Sequence, residues 1–291
     1  MKLRRSMLFV PGNNMRFIEK AIGLKVDGII FDLEDAVPLA DKDAARGTVR
    51  KALAEIDWGQ KERIVRINPP TSELGLMDVK EIVKAKPDAL LLPKINSVTD
   101  VLFAGDLVRQ TENSIGLDRK VELIATLESA QGVINVDAIA KSDPRLTALA
   151  FGPADYTADL GGEITADMTE LLYPRARIAV AAAAASIDAV DQPYLDVKDD
   201  AGLERDARRG RALGFKGKLL IHPNQIDTVH RVYSPSVNEV EWATKVIEAY
   251  TQAVKERRGA VTVEGRMVDT AVVEKAKRIL AINERIKASG G

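Results

Sequence analysis

Val121-Glu122-Leu123-Ile124-Ala125-Thr126-Leu127-Glu128 and, further on, Leu146-Thr147-Ala148-Leu149-Ala150-Phe151-Gly152-Pro153-Ala154-Asp155 are two short apolar runs that each break off at an acid. Both runs have strand length and lead into small or turn-forming residues, Ser129-Ala130-Gln131-Gly132 and Gly152-Pro153-Ala154. Consecutive strands of this kind pair in parallel, so Glu128 and Asp155 come to one end of one sheet. That end is where α/β proteins keep ligands and catalysis. Two oxygen ligands with open positions suit Mg²⁺ or Mn²⁺, which take few protein carboxylates and complete their shell with water and substrate. The competing reading is that each acid caps the next helix. For either acid alone the cap is the better reading; the like placement of both on neighbouring strands favours the metal.

Outward from this pair, strand-like segments recur at residues 6–10, 28–31, 63–67, 89–92, 121–127, 146–151, 187–190 and 218–221. The intervals, mostly of roughly 25–35 residues, have the length of a βα unit. They carry helical patterning at 14–25, 42–55, 76–85, 99–111, 133–141 and 171–186. Eight near-continuous hydrophobic strands alternating with helices predict an α/β fold, a (β/α)₈ TIM barrel, over residues 1–230. The runner-up is a doubly wound sheet with a helical appendage. Residues 231–291 predict a C-terminal helical extension: an amphipathic helix over 236–257 after Tyr233-Ser234-Pro235, then Arg258-Gly259, a β-prone run at 260–263 and a last helix over 270–287. Such an extension packs on its own body, covers a neighbour, or closes the active site as a lid.

Composition narrows the function classes. The 42 basic and 43 acidic residues nearly cancel, to a net charge of −1, so nothing marks a nucleic-acid surface. The 46% hydrophobic content predicts a folded core rather than disorder. Cysteine is absent, which excludes disulfides, thiolate nucleophiles and cysteine zinc sites. The apolar stretch before Pro11-Gly12 is too short for a signal sequence and no run reaches transmembrane length, so the expected location is the cytoplasm.

In a barrel, the residues that follow each strand line one mouth. They are Pro11-Gly12-Asn13, Asp32-Leu33-Glu34-Asp35, Arg66-Ile67-Asn68-Pro69, Pro93-Lys94, Glu128, Gly152-Pro153-Ala154-Asp155, Asp191-Gln192 and His222-Pro223-Asn224-Gln225. Convergent acids with an Arg and a Lys suit an anionic, oxygen-rich small ligand held partly through a metal. Arg66 faces inward if Ile64 does. There it would stabilise an enolate or carboxylate oxygen, or form an ion pair with Asp32, Glu34 or Asp35. Because those three acids alternate with Leu33, one or two of them are expected at the mouth, holding Arg66, Lys94 or metal-bound water. Lys94 has the type and place of a Schiff-base lysine, but charge pairing is the better reading. His222 reads as structural, and His230 receives no role. Phosphate cradles are weak, so a nucleotide-containing ligand would use scattered cations, Arg16 and Lys20 on the first helix. A solvated helix face is the stronger reading for both.

Read together, Arg5-Ser6-Met7-Leu8-Phe9-Val10-Pro11-Gly12-Asn13, Phe31-Asp32-Leu33-Glu34-Asp35-Ala36-Val37, Arg66-Ile67-Asn68, Leu92-Pro93-Lys94, Leu127-Glu128-Ser129-Ala130 and Phe151-Gly152-Pro153-Ala154-Asp155 make an ordered set. With Leu213-Gly214-Phe215-Lys216-Gly217-Lys218, Ile221-His222-Pro223-Asn224-Gln225-Ile226 and Gly265-Arg266-Met267-Val268-Asp269, the chain resembles the citrate lyase β-subunit-like branch of the HpcH/HpaI aldolase family, relatives of malyl-CoA and citramalyl-CoA lyases. The resemblance implies a barrel, Mg²⁺ held by Glu128 and Asp155, a substrate arginine at Arg66, and Asp269 as acid/base. It also implies that the extension folds over a barrel mouth, often that of a neighbour in a homotrimer or hexamer. Taken alone, Asp269 reads only as an N-cap of the helix from Thr270. The family has Pro two residues after this Asp, where this chain has Ala271.

The expected activity is reversible, Mg²⁺-dependent carbon–carbon cleavage of a β-hydroxyacyl-CoA such as malyl-CoA or citramalyl-CoA, giving acetyl-CoA and a 2-oxo acid. Three alternatives stand beside it. They are a citrate lyase β-subunit acting on a citryl thioester of an acyl carrier protein, a CoA-independent pyruvate-type metal aldolase, and a non-catalytic binding subunit.

Overall fold

A computed structural model describes residues 2–256 and 261–289. Eight strands, β1 (Ser6–Pro11), β2 (Gly28–Asp32), β3 (Glu62–Arg66), β4 (Ala89–Leu92), β5 (Glu122–Leu127), β6 (Leu146–Phe151), β7 (Asp188–Asp191) and β8 (Gly217–Leu220), close into a barrel in chain order. Neighbours are parallel throughout, and β1 pairs with β8 to close the ring. Closure rules out the doubly wound open sheet. Among the described residues no helix is long and apolar enough to cross a membrane.

The strands are buried on both faces because each has a lumen to fill and a helix layer to meet. Met7, Ile30, Ile64, Ala89, Leu91, Ile124, Ala148, Ala150, Val190 and Leu219 fill the lumen, with Phe9 packed against them. The alternate residues Ile29, Phe31, Val65, Leu90, Leu123 and Leu149 are equally buried beneath the helices. Burial of each large side chain is worth about 1.5–3 kcal/mol.

The helices around the barrel are α1 (Met15–Ile22), α2 (Lys42–Glu55), α3 (Glu73–Ile82), α4 (Val98–Ser114), α5 (Ala130–Ile139), α6 (Pro153–Leu160), α7 (Leu172–Ala184), α8 (Asp200–Leu213) and α9 (Ile226–Tyr233). Asn14, Ser72, Ser97, Ser129 and Asp199 cap α1, α3, α4, α5 and α8 with their side chains, so short polar residues mark where most βα loops become helix. At the amino-terminal end of the barrel, buried Arg4 ties together Glu62 of β3 at 2.8 Å, Glu122 of β5 at 2.9 Å and Asp188 of β7 at 3.3 Å.

One strand-end residue is not at the mouth. Asp191 was expected there, but Val190 occupies the lumen, so the two-residue period turns Asp191 outward. It lies fully buried between barrel and helices, where Arg175 of α7 donates to it at 2.6 and 3.0 Å and Lys218 of β8 at 3.1 Å. Asp206 of α8 completes the group, accepting from Arg175 at 2.7 Å and Lys218 at 2.5 Å. Two cations and two anions balance, and this pairing is what makes their burial tolerable.

The chain divides into two compact units, Arg4–His230 and a second built on Arg231–Gly291. In the second, α10 (Val237–Lys255) and α11 (Thr270–Ala288) pack with an antiparallel hairpin of β9 (Val261–Val263) and β10 (Arg266–Val268). Its core is Ala243, Val246, Val263, Val268, Val273, Ala276 and Ile279. A Ser236–Glu239 capping box starts α10. Arg258, Gly259 and Ala260, together with Arg257 at the end of the expected helix, lie outside the described residues.

Candidate active site

Strand register builds the first half of the site. Ile30 is level with Ile64 and Asp32 with Arg66; since both isoleucines point into the lumen, Asp32 and Arg66 share its carboxy-terminal rim. Asp32 accepts from Arg66 Nε at 2.7 Å and Nη2 at 2.5 Å, a bidentate fork that fixes the guanidinium plane. The same carboxylate accepts from the backbone N–H of Glu34 at 2.9 Å and of Ala36 at 3.1 Å. The chain therefore turns around Asp32 as soon as β2 ends.

That turn corrects the expectation that only one or two of the three acids would gather. All three meet Arg66, with Glu34 at 3.1 Å and Asp35 at 3.2 Å from Nη1, because strand alternation stops at Asp32. The guanidinium lies 4.8 Å from the centroid of the Phe9 ring. Burial works against its charge, yet the surrounding carboxylates hold its pKa above the ordinary arginine range.

Glu34 is buried, and neither of its oxygens accepts a hydrogen bond among the described residues. Burial is the main cause that pushes its carboxyl up to about 8, against the pull of Arg66. Lys94 Nζ stands 3.9 Å from it.

Glu128 forms the second half. Helix α5 is capped by Ser129, which accepts from Gly132 N–H at 3.0 Å, so Glu128 is not spent as a cap. It is buried, and its Oε1 accepts from the backbone N–H of Lys94 at 2.6 Å. Gly152 leaves the space it occupies: a Cβ there would stand 2.6 Å from Glu128 Oε2 and 2.8 Å from Glu128 Cβ. Burial lifts its carboxyl to about 7, and the nearby charge of Asp155 adds to the rise. Asp155 lies in the first turn of α6, where Gly152 supplies no side-chain cap. Its side chain is exposed and accepts no hydrogen bond among the described residues.

This donor set fits a hard divalent cation. The donors are carboxylate oxygens, Glu128 is buried beyond what its one hydrogen bond compensates, and Glu34 has oxygens to spare. Among the described residues no three His, Asp or Glu side chains gather into a ready-made cage.

Most of the remaining candidates make contacts of their own. Arg16 and Lys20 are exposed on α1 and make no ion pair among the described residues; Lys20 lies 6.0 Å from the Phe17 ring centroid. Asp269, in the C-terminal unit, caps α11 by accepting from Val272 N–H at 2.9 Å. His222 Nδ1 accepts from Asn224 N–H at 3.2 Å and caps a short turn. His230 Nε2 pairs with Ser6 Oγ at 2.7 Å. Asn68, from the strand-end set, is buried, with its side chain donating to Asp78 and to the Leu33 carbonyl. Sequence reasoning gave Phe9 no role at the site and read Gly152 only as a turn former at the mouth. Phe9 was findable from its two-residue offset from the lumen residue Met7; the crowding at Gly152 carries no linear signal.

The HpcH/HpaI aldolase/citrate lyase family matches residues 5–223 of this chain. The chain is 38% identical over 289 residues to the citrate lyase subunit beta of Haemophilus influenzae, covering 99% of this chain and 98% of that protein. It is 38% identical over 286 residues to a (3S)-malyl-CoA thioesterase of Cereibacter sphaeroides, covering 98% and 96%. It is 34% identical over 294 residues to the mitochondrial citramalyl-CoA lyase of Homo sapiens, covering 98% and 86%. A crystal structure of the Mycobacterium tuberculosis protein CitE, in complex with magnesium, acetoacetate and coenzyme A, superposes with a TM-score of 0.77 at 31% identity, covering 96% of this chain and 98% of that one.

Proposed function

We propose that this chain, which belongs to the HpcH/HpaI aldolase/citrate lyase family, is a carbon–carbon lyase that reversibly cleaves a β-hydroxyacyl-CoA, such as malyl-CoA or citramalyl-CoA, into acetyl-CoA and a 2-oxo acid. The observation that carries this reading is the gathering of buried Glu128, neighbouring Asp155 and a carboxylate-fixed Arg66 at one barrel mouth. Glu128 and Asp155 would hold Mg²⁺, or Mn²⁺ in its place. Bound there, the ion supplies positive charge that acidifies the substrate hydroxyl and steadies the 2-oxo acid.

The chain's own groups do the rest. Asp32 takes two of the five N–H groups of Arg66 and Asp35 takes one, which leaves donors for the thioester enolate oxygen as the carbon–carbon bond breaks. Asp269 delivers a proton to the enolate carbon, giving acetyl-CoA, and removes that proton in the synthetic direction. For this the C-terminal unit, residues 231–291, acts as a lid over a barrel mouth, its own or that of a neighbour in a trimer or hexamer. Closure excludes water from the enolate. Arg16 and Lys20 are the cations offered to coenzyme A. The reading places the enzyme in the cytoplasm.

A second reading is a citrate lyase β-subunit working on an acyl carrier protein thioester, favoured by the full-length likeness to the Haemophilus protein. A third is thioester hydrolysis, favoured by the likeness to the malyl-CoA thioesterase. Incubating the purified chain with malyl-CoA and citramalyl-CoA, with Mg²⁺ and then with EDTA, separates the three. Metal-dependent acetyl-CoA with glyoxylate or pyruvate supports the lyase. Free CoA with malate indicates hydrolysis, and no turnover with Mg²⁺ bound points to the carrier-protein substrate.

A further inference from the structure

We propose that Lys94 is a specificity-determining residue whose ammonium receives the carboxylate on the hydroxyl-bearing carbon of the substrate, the carboxylate that leaves with the 2-oxo acid. The inference deepens the lyase reading and rests on it.

The backbone of Lys94 adopts a left-handed conformation, φ 54°, which glycine accepts without penalty and a residue with a side chain does not. The turn it makes brings its N–H onto Glu128 Oε1 at 2.6 Å. Glycine would make the same turn and donate the same bond. The disfavoured conformation is thus borne by a residue whose side chain does something the backbone does not.

What the side chain offers is charge. Lys94 keeps 49% of its side-chain surface exposed, and its only ion-pair contact among the described residues, Glu34 Oε1, is 3.9 Å away, beyond hydrogen-bond range. The three donors of its ammonium are therefore open to a ligand. Arg66, the other cation of the cluster, has its charge offset by Asp32, Glu34 and Asp35, and its remaining donors serve the enolate oxygen. The mouth also holds Glu128 and Asp155, which by themselves repel a substrate carboxylate. A cation whose own backbone holds Glu128 stands where that repulsion is offset. Malyl and citramalyl thioesters both present such a carboxylate. A β-hydroxyacyl thioester without it would leave the ammonium facing the buried acid Glu34 with no substrate anion to meet.

The test is equilibrium binding of Mg²⁺, and then of glyoxylate, pyruvate and oxaloacetate at saturating Mg²⁺, to the wild-type chain and to K94M, K94G and K94R. Loss of one charge-assisted contact weakens 2-oxo-acid binding roughly 10- to 100-fold in both K94M and K94G. K94R recovers part of it, and Mg²⁺ affinity is held or raised in K94M because the N–H to Glu128 remains. K94G should also be at least as thermally stable as wild type. Wild-type 2-oxo-acid affinity in K94M would overturn the assignment and leave the lyase reading standing. Parallel loss of Mg²⁺ and 2-oxo acid in K94M would show Lys94 to be structural and overturn it too. A wild-type chain that binds Mg²⁺ but no 2-oxo acid would overturn the lyase reading, and this inference with it.

Discussion

Gly152→Ala tests the site with a single added methyl. The alanine Cβ would lie 2.6 Å from Glu128 Oε2 and 2.8 Å from Glu128 Cβ. To reach ordinary contact at 3.4 Å the carboxylate oxygen must move by about 0.8 Å. Rotation alone does not provide the movement, because Glu128 Cβ is crowded as well and Oε1 is tied to Lys94 N–H at 2.6 Å. The backbone of Gly152, at φ −104° and ψ 99°, is open to alanine, so the effect comes from crowding and not from conformation. Overpacking of this kind costs about 1–3 kcal/mol of stability. A displacement near 1 Å in a ligand or catalytic group costs on the order of 100-fold in rate. We expect a folded protein with a modestly lowered Tm, Mg²⁺ affinity reduced by about tenfold or more, and kcat/KM for malyl-CoA down by roughly two orders of magnitude. Isothermal titration with MgCl₂, circular dichroism melting and acetyl-CoA release read the three quantities. Wild-type Mg²⁺ affinity and turnover in a folded G152A protein would refute the placement of Glu128 as a metal ligand.

Arg66→Lys keeps the charge and loses the fork, so Asp32 forfeits its bidentate partner; kcat should fall by about 10²–10³, and near-wild-type turnover would remove Arg66 from the mechanism. In EDTA, thermal stability should rise as pH falls from about 8 towards the ordinary glutamate value of 4.5. Glu34 and Glu128 have folded-state pKa values raised to about 8 and about 7. Their ionisation therefore costs stability above those values, and protonation relieves the cost. Glu34→Gln should flatten that slope and excess Mg²⁺ should reduce it; a slope unchanged in E34Q would show that this acid does not carry it. Lys218→Met removes one cation from a fully buried group and leaves Asp191 and Asp206 to Arg175 alone, a loss of about 3–5 kcal/mol, read as a shift in the urea midpoint.

Linear sequence decided most of the architecture. Apolar runs of strand length at βα spacing, with Ser and Asn caps where the loops become helix, are local properties, and eight of them have a closed barrel as their solution. Glu128, Asp155, Arg66 and Lys94 were legible for a related reason, since the carboxy-terminal ends of parallel strands gather at one mouth. Tertiary structure decided what those residues do to one another. Alternation along β7 sent Asp191 away from the mouth and into a buried pair of ion pairs. The turn around Asp32 brought Glu34 and Asp35 onto Arg66 together, against the alternation expected for a strand. Burial of Glu128 against Gly152, with a left-handed Lys94 donating to it, joins residues just past the ends of β4, β5 and β6 that are far apart in the chain. Burial, register and charge-charge distance depend on all three coordinates of the folded chain, and spacing along it records only one.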